Sequence, residues 1–199
     1  MVTHNEHKHH GKSSANFLDA DEIIKELKLK SNDVFMDAGC GDGYISIKTI
    51  EEYLHNGVVY AVDIYDLAIN ELEEYKKENN IENLNCIVGD FTKGIHEVND
   101  GEIDVILMLN VFHGFKDSET RDNVINELFR LINDEGRIAI MEFNPIDWSF
   151  GPPTEIKCSP DELEEIFSKH GLKKVYLNQN MGQKSPEGNS HYMIIFEKE

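Results

Sequence analysis

Cysteine is scarce in this sequence. Only Cys40, Cys86 and Cys158 occur among its 199 residues, and they show no paired spacing. An odd and scattered set argues against a disulfide framework, and the lack of a C-x-x-C pair argues against the usual zinc half-site. The cysteines would form a thiolate site only if the fold brought all three together.

Long apolar runs and basic residues are also lacking. No stretch reaches the about 18 apolar residues that a membrane-spanning helix needs, and the first residues are polar, without the apolar centre of a signal peptide. Lys and Arg total 19 against 38 Asp and Glu, which gives a net charge of −19. From the lack of apolar runs we expect a cytoplasmic protein without a membrane partner. Because a strong negative field repels phosphates, we expect no nucleic-acid partner and favour a small-molecule substrate.

Residues 1–18 differ in composition from the rest of the chain. They are mostly polar, contain His4, His7, His9 and His10, and show no apolar periodicity. The histidine spacing defines no fixed coordination geometry, so no metal site is predicted. We predict a flexible His-rich segment here, followed by one domain over residues 19–199, a length that is usual for a single domain.

Strand and helix patterns alternate from residue 33 to residue 170. This order predicts an α/β fold with a mostly parallel sheet and helices on both faces. Two late strands, near residues 174–177 and 192–196, have no helix between them and are expected to pair as an antiparallel hairpin. The predicted strands before them cover residues 34–37, 57–62, 84–88, 104–109 and 137–141. The predicted helices begin at 19, 44, 67, 121 and 160.

Polar residues follow four successive predicted strands, at Asp37, Asp63, Asp90 and Asn110. The carboxyl ends of parallel strands share one edge of the sheet, where open α/β folds bind ligands. The first of these ends continues into a glycine-rich turn, Asp37-Ala-Gly-Cys-Gly-Asp-Gly43. Glycines allow positive φ and a close ligand, and the following helix directs its first amides at an anion. Asp63 is suitably placed to accept hydrogen bonds from ribose hydroxyls.

A dinucleotide-binding turn is the main alternative for this segment. Its fingerprint is G-x-G-x-x-G, whereas the spacing here is G-x-G-x-G, with Tyr44 where the last glycine would stand. Asp37 and Asp42 would repel a pyrophosphate and attract an ammonium group. A nucleoside with an amino-acid tail therefore fits better than a dinucleotide, and a nicotinamide-dependent oxidoreductase is the less favoured interpretation.

The motifs together resemble the class I S-adenosylmethionine-dependent methyltransferases. Residues 34–43 resemble their first motif, and Gly89-Asp90-Phe91 resembles their third. The stretch from Asn126 to Phe143 is similar to the quinone-biosynthesis C-methyltransferase branch, and the resemblance extends over residues 20–199. It implies a three-layer, Rossmann-like, seven-stranded sheet that binds S-adenosylmethionine and releases S-adenosylhomocysteine. The acceptor is not identified by the resemblance.

The resemblance also implies a set of donor-binding residues. The donor's carboxylate would meet the amides after Gly39 and its ammonium group would lie near Asp37. Its adenine would lie between Ile64 and Phe91, with Asp90 at the adenine amino group. The full predicted set is Asp37, Ala38, Gly39, Cys40, Gly41, Gly43, Asp63, Ile64, Asp90, Phe91 and Asn110.

The acceptor side is expected to come from residues 10–17, 110–115 and 142–153, including Glu142, Asn144 and an aromatic wall that begins at Trp148. His113 is the candidate catalytic base, because a histidine titrates near neutral pH. Its alternative is a structural loop histidine, since methyl transfer often needs only alignment and desolvation. Residues 1–18 would then act as a lid. A catalytically silent donor-binding module and a metalloid methyltransferase that uses the three cysteines are the remaining alternatives.

Overall fold

The computed structural model describes residues 13–199. Its strands, in chain order, are β1 (Val34–Ala38), β2 (Val58–Asp63), β3 (Leu84–Val88), β4 (Ile103–Leu109), β5 (Ile132–Phe143), β6 (Leu172–Ser185) and β7 (Gly188–Lys198). Its α-helices are α1 (Ala20–Leu27), α2 (Tyr44–Glu52), α3 (Asp66–Glu78), α4 (Arg121–Leu131) and α5 (Pro160–Ser168). Short 3-10 helices occupy Ser14–Asn16, Phe112–Gly114 and Thr154–Ile156.

The strands form one sheet in the order β3-β2-β1-β4-β5-β7-β6. Neighbouring strands from β3 to β5 run parallel, while β7 is antiparallel to both β5 and β6. The predicted α/β fold with its antiparallel C-terminal hairpin is confirmed. Strands β2 and β3 lie on one side of β1, and β4, the next strand in the chain, lies on the other side of β1. The carboxyl ends of β1 and β4 therefore flank the switch point at which such sheets bind ligands.

Two apolar cores cover the two faces of this sheet. Residues of α1, α2 and α3 pack on one face with Phe35, and residues of α4 and α5 pack on the other with Met36. The neighbours Phe35 and Met36 point to opposite faces because side chains alternate along a strand. Strand β4 is almost wholly apolar since both of its faces are covered.

Side chains cap two of the helices. Asp19 precedes α1 and accepts a hydrogen bond from the Asp21 amide at 2.9 Å. Ser159 and Glu162 form a reciprocal capping box before α5, in which Pro160 is the first helical residue. These caps satisfy amides that have no partner within the helix.

The late strands are longer than predicted. Pairing of β6 and β7 continues to Ser185 and Gly188, with irregular register between Asn178 and Lys184. The polar stretch 178–185 has no apolar alternation, so the sequence did not indicate a strand there, although its backbone still pairs. Strand β5 also begins early, where Ile132 pairs with Ile103. Among residues 13–199, no helix has the length and apolar content needed to cross a membrane.

Candidate active site

The glycine turn after β1 has three residues with positive φ: Gly39 at +83°, Gly41 at +54° and Gly43 at +79°. A Cβ on Gly39 would lie 2.4 Å from Val111 Cγ2, and one on Gly43 would lie 2.6 Å from Leu72 Cδ1. A Cβ on Gly41 would meet nothing within 4 Å. Two of the glycines therefore permit close packing, and Gly41 faces open space in which a ligand can lie.

Hydrogen bonds within the fold occupy most amides of this turn. Gly39 and Cys40 both donate to the Val62 carbonyl, at 2.7 and 3.0 Å, and Gly43 donates to the Cys40 carbonyl at 2.9 Å. The Gly41 amide donates to Asp63 Oδ2 at 2.9 Å. The amides of Gly39, Cys40 and Gly41 therefore fix the turn to β2, and the amide of Gly43 bonds within the turn. The expected contact of the donor's carboxylate with amides after Gly39 stays a prediction.

Asp63, at the end of β2, fixes two backbone segments. Its Oδ2 binds the Gly41 amide, and its Oδ1 accepts from the Tyr65 amide at 3.0 Å. An ionised carboxylate offers about four acceptor positions, so positions remain for the hydroxyls of a ribose. Asp66 is the first residue of α3, and Tyr65 precedes it at the cap position.

Asp37 is buried and accepts a hydrogen bond from Ser46 Oγ at 2.7 Å. Burial raises the pKa of this carboxyl to about 7, against the opposing effect of the Ser46 hydroxyl and with added repulsion from Asp63. A cation beside Asp37 would offset this penalty, whereas a pyrophosphate would increase it. Ala38, which follows Asp37, is fully buried and offers a ligand only its backbone.

Asn110, directly after β4, has a left-handed backbone with φ of +56°. Its amide donates to the Met141 carbonyl at 2.9 Å. Its side-chain Oδ1 is buried, and no residue of the described chain gives it a hydrogen bond. A buried acceptor without a donor is costly, so this position suits a ligand that carries N–H groups.

The expected adenine side is only partly open. The Ile64 side chain is 58% exposed, while Phe91 is 7% exposed and belongs to the core. The Ile64 side chain therefore offers an exposed apolar surface to a ligand, whereas the Phe91 side chain packs in the apolar core. Asp90 accepts from the amide and hydroxyl of Thr92 and pairs with Lys93 at 2.8 Å. Although burial opposes ionisation, Lys93 and Thr92 hold the pKa of Asp90 below its usual range.

His113 and Glu142 form a buried pair between the ends of β4 and β5. Glu142 Oε1 accepts from the His113 backbone amide at 3.0 Å, and Oε2 lies 2.9 Å from His113 Nδ1. The two side chains are 15% and 1% exposed. Burial alone would lower the pKa of His113, but the hydrogen bond and charge of Glu142 outweigh it and raise the pKa above the usual 6.5.

Aromatic rings cluster near the end of β5 and the beginning of β7. Ring centroids lie 5.3 Å apart for Phe17 and Phe150, 5.4 Å for Trp148 and Phe150, and 4.1 Å for Phe143 and His191. The structure therefore brings Phe17 together with Phe143 and Phe150 of the segment 142–153. Both belong to the segments from which the acceptor side was expected. His191 is a member that the sequence did not indicate, because its position depends on the pairing of β7 with β5.

The Asn144 side chain serves the fold, and the fold does not bring the three cysteines together. The Asn144 amide nitrogen binds three carbonyls, those of Gln179, Asn189 and His191, and ties the hairpin to β5. Cys40 and Cys86 pack on one face of the sheet and Cys158 on the other. Burial raises the pKa of the Cys86 and Cys158 thiols to about 12. No thiolate triad exists for a metalloid.

Metal binding finds no support in residues 13–199, where no group of three His, Cys, Asp or Glu side chains is arranged to hold an ion. His4, His7, His9 and His10 lie outside the described residues, as do Gly11 and Lys12. The lid predicted over residues 1–18 therefore has only its last part, from Ser13, within the structure.

Comparison with known proteins identifies the family. Residues 29–198 match a family model described as a methyltransferase domain. The chain belongs to this methyltransferase family. The match confirms the resemblance drawn from the motifs and, with it, the family's cofactor, S-adenosylmethionine. The chain is also 23% identical over 127 residues to a demethylmenaquinone methyltransferase from Lactobacillus johnsonii. That similarity covers 61% of this chain and 48% of the relative, so the chain spans about half the relative's length.

Two solved structures with the same fold are described as methyltransferases. A SAM-dependent methyltransferase from Aquifex aeolicus has a TM-score of 0.79 and 22% identity, over 94% of this chain and 93% of that one. A Burkholderia thailandensis 1,6-didemethyltoxoflavin-N1-methyltransferase, solved with bound 1,6-didemethyltoxoflavin and S-adenosylhomocysteine, has a TM-score of 0.66 and 17% identity, over 90% and 76% of the two chains. At these identities the similarity shows the fold.

Proposed function

We propose that this protein transfers the methyl group of S-adenosylmethionine to a small-molecule acceptor and releases S-adenosylhomocysteine. The observation that carries the proposal is the open space at Gly41, whose amide is bound by the Asp63 carboxylate. Asn110, whose buried Oδ1 has no partner among the described residues, follows the neighbouring strand β4. These groups lie at the ends of β1, β2 and β4, around the switch point of the sheet. They match a ligand with ribose hydroxyls at one end and an ammonium group at the other.

The donor would be held by a small number of groups. Asp63 would accept from the ribose hydroxyls, and Asn110 Oδ1 with Asp37 would attract the ammonium group. Ile64 would pack against adenine, and Asp90 would read its amino group. The backbone of Ala38, Gly39, Cys40, Gly41 and Gly43 would shape the turn beneath it. When bound, the donor supplies an electrophilic methyl group on a sulfonium.

The acceptor side would be the aromatic cluster of Phe17, Phe143, Trp148, Phe150 and His191. Its apolar rings suit a small, partly apolar acceptor, and they would keep water from the reacting centre. Residues 1–18 would act as the lid, and residues 19–199 as the single catalytic domain. The three cysteines of the described chain are unpaired, which suits a reducing compartment, and we place the protein in the cytoplasm.

Calorimetric titration tests the donor site. We expect saturable binding of S-adenosylhomocysteine, no binding of NAD, and an affinity at least about tenfold lower (1.4 kcal/mol) for Asp63→Ala. Asp134→Ala, which changes a fully exposed carboxylate, is the matched control and should bind as the wild type does. Binding of NAD alone, or of neither compound, would overturn the proposal.

A further inference from the structure

The proposed function leaves the charge of the acceptor unspecified. We propose that the aromatic cluster forms a subsite for a flat acceptor that carries a carboxylate. Lys157 would balance the negative charge, and the ring N–H groups of His191 and Trp148 would donate to the carboxylate oxygens. This inference deepens the proposed function and rests on it.

Three buried side-chain nitrogens have no hydrogen-bond partner among residues 13–199, and all three lie on this side of the molecule. They are Trp148 Nε1, Asn189 Nδ2 and His191 Nε2. Trp148 and His191 belong to the aromatic cluster. Asn189 precedes His191 by two residues on β7, and alternate residues of a strand share a face. A buried donor without an acceptor is costly, so three of them in one region point to oxygen atoms that a ligand supplies.

The surroundings of Ser190 decide which nitrogen of His191 carries the hydrogen. Ser190 Oγ is buried and already accepts from the Gln183 amide at 2.8 Å. The other partner of this hydroxyl among the described residues is His191 Nδ1, at 2.7 Å. The hydroxyl therefore donates to Nδ1, and the neutral ring carries its hydrogen on Nε2. Burial, aided by the charge of Lys157, keeps the ring neutral by lowering its pKa to about 3. His191 Nε2 is thus a donor, as Trp148 Nε1 is.

Lys157 is a buried cation that no described carboxylate neutralises. Only 3% of the residue is exposed, and its ammonium group donates to the Ile146 carbonyl. No carboxylate oxygen of residues 13–199 lies within 4.0 Å of this group. Burial lowers the pKa of Lys157, and the more distant Asp147 and Glu155, which are both exposed, oppose the shift. A buried charge without a partner is costly, and an anion beside it would offset that cost.

The cation and the donors lie around the Phe143 ring. Lys157 Nζ is 5.9 Å from the centroid of this ring, and the centroid of the His191 ring is 4.1 Å from it. The Ile146 carbonyl that binds Lys157 precedes Trp148 by two residues in the same loop. Charge and donors are therefore close to rings against which the flat apolar part of a ligand can pack.

These groups select a carboxylate over neutral and cationic ligands. A cation would be repelled by Lys157, and the N–H groups of an amine or amide would face further donors. A ketone would satisfy the donors but leave the charge of Lys157 unbalanced. A carboxylate supplies one negative charge and about four acceptor positions, which matches one ammonium group and several donors. Because the chain has a net charge of −19, only a local cation can attract such an anion.

Phe17 covers the subsite in this structure. Its ring stacks on that of His191, with 6.0 Å between centroids and 17° between planes, and lies 5.3 Å from the Phe150 ring. Phe17 belongs to the segment that we propose as the lid. The ring of the acceptor would replace that of Phe17 over the imidazole, so the lid must open for the acceptor to enter.

Fluorine NMR titration with a matched pair of probes tests the charge of the ligand. The probes are 4-(trifluoromethyl)benzoate and 4-(trifluoromethyl)benzamide, which share a ring and differ in charge, added to protein with S-adenosylhomocysteine. We expect the wild type to bind the benzoate at least about tenfold more tightly than the benzamide. Equal affinities, tighter binding of the benzamide, or no binding of the benzoate would overturn the inference.

The indole N–H signal of Trp148 locates the bound probe. The chain contains one tryptophan, so a proton–nitrogen spectrum of labelled protein has one indole signal, which should move downfield as the carboxylate accepts its hydrogen bond. An indole signal that the bound benzoate leaves unchanged would place the probe elsewhere and contradict the inference.

Lys157→Met removes the charge and keeps a side chain of similar length. We expect at least about tenfold weaker binding of the benzoate and unchanged binding of the benzamide. Lys198→Met is the matched control, because Lys198 also donates to a backbone carbonyl, that of Ile132, and lies over a ring, that of Phe129. Lys198 differs in having a carboxylate neighbour, Asp134, and lies at the other end of β7, so both affinities should be unchanged. An equal loss of both probes in Lys157→Met would show a purely structural role for Lys157.

Calorimetry with S-adenosylhomocysteine on the same samples separates the two possible failures. Wild-type protein that binds S-adenosylhomocysteine but not the benzoate would overturn this inference alone. Wild-type protein that does not bind S-adenosylhomocysteine would overturn the proposed function.

Discussion

Oδ2 of Asp63 accepts a hydrogen bond from the backbone amide of Gly41 at 2.9 Å. The end of β2 therefore fixes the turn that follows β1, and the same carboxylate keeps acceptor positions for a ligand. The shape of the site depends on a bond between two neighbouring strand ends. Substitutions in the turn can accordingly be separated into those that disturb packing and those that obstruct the ligand.

Gly41→Ala should weaken donor binding with a loss of stability that comes only from its backbone conformation. The new methyl group meets no protein atom within 4 Å, and φ of +54° is accessible to alanine at a cost of roughly 1–2 kcal/mol. The methyl group projects into the space assigned to the donor, so we expect at least about tenfold weaker binding of S-adenosylhomocysteine. Calorimetry and urea unfolding give the two quantities.

Gly39→Ala is the contrasting variant in the same turn. Its Cβ would lie 2.4 Å from Val111 Cγ2 at a φ of +83°, so the Val111 side chain or the turn must move. We expect a larger loss of stability than for Gly41→Ala, by several kcal/mol, measured by the same urea unfolding. If both variants lost equal stability, the assignment of Gly41 to the ligand space would be wrong.

Asp37→Asn should increase stability at alkaline pH while weakening donor binding. The carboxyl pKa rises from 3.8 to about 7 on folding, so the unfolded chain loses its proton first and stability falls as pH rises between these values. The amide has no proton to lose, and the variant should be more stable by a few kcal/mol at about pH 8. Urea unfolding at several pH values checks this.

The same carboxyl predicts that donor binding releases a proton below pH 7. An ammonium group beside Asp37 favours the ionised form, so the affinity for S-adenosylhomocysteine should fall as pH decreases through 7. Calorimetry at about pH 6.5 in phosphate and in Tris should give different enthalpies for the wild type. Equal enthalpies for the wild type would place the ammonium group away from Asp37.

Asn110→Gly should weaken donor binding without lowering the stability of the fold. Glycine adopts the φ of +56° without strain and removes the buried Oδ1 that lacks a protein partner. We expect unchanged or slightly higher stability in urea and at least about tenfold weaker binding of S-adenosylhomocysteine. Binding equal to that of the wild type would mean that Oδ1 does not meet the donor.

The sequence predicts the strand ends well because apolar runs and glycine spacing are local signals. Val34 to Asp37 is a short apolar run closed by an acid, and β4 is apolar on both faces, so each has a clear place in a parallel sheet. Asp63 was predicted at its strand end for the same reason. The irregular part of β6 was missed because its pairing with β7 depends on backbone contacts, without apolar alternation.

The details of the candidate site depend on contacts between distant segments. No local pattern shows that the Val62 carbonyl accepts from both Gly39 and Cys40. The pairing of Glu142 with His113 and the position of His191 beside Phe143 likewise require the strand order β4-β5-β7. The residue types alone indicate a ligand site at the carboxyl ends of the strands. Which side chains contact one another there depends on the register of the sheet.

His191 should make the fold sensitive to mild acid. Its ring is fully buried among Phe17 and Phe143, with Nδ1 2.7 Å from Ser190 Oγ, and burial lowers its pKa to about 3. The unfolded chain binds a proton at this histidine near pH 6.5 while the folded chain does not, so stability falls as pH decreases from 6.5 toward 3.

His191→Asn should reduce this dependence while lowering stability at every pH, because it leaves space among the rings. The decisive quantity is the change in unfolding free energy between about pH 7 and pH 5, which should be smaller in the variant by about 2 kcal/mol. His170→Asn, at a site whose side chain bonds to Asn126 on the surface of α4, is the matched control and should keep the wild-type dependence. An equal pH dependence in the wild type and His191→Asn would show that His191 titrates in the folded protein, and the aromatic cluster would then be open to water.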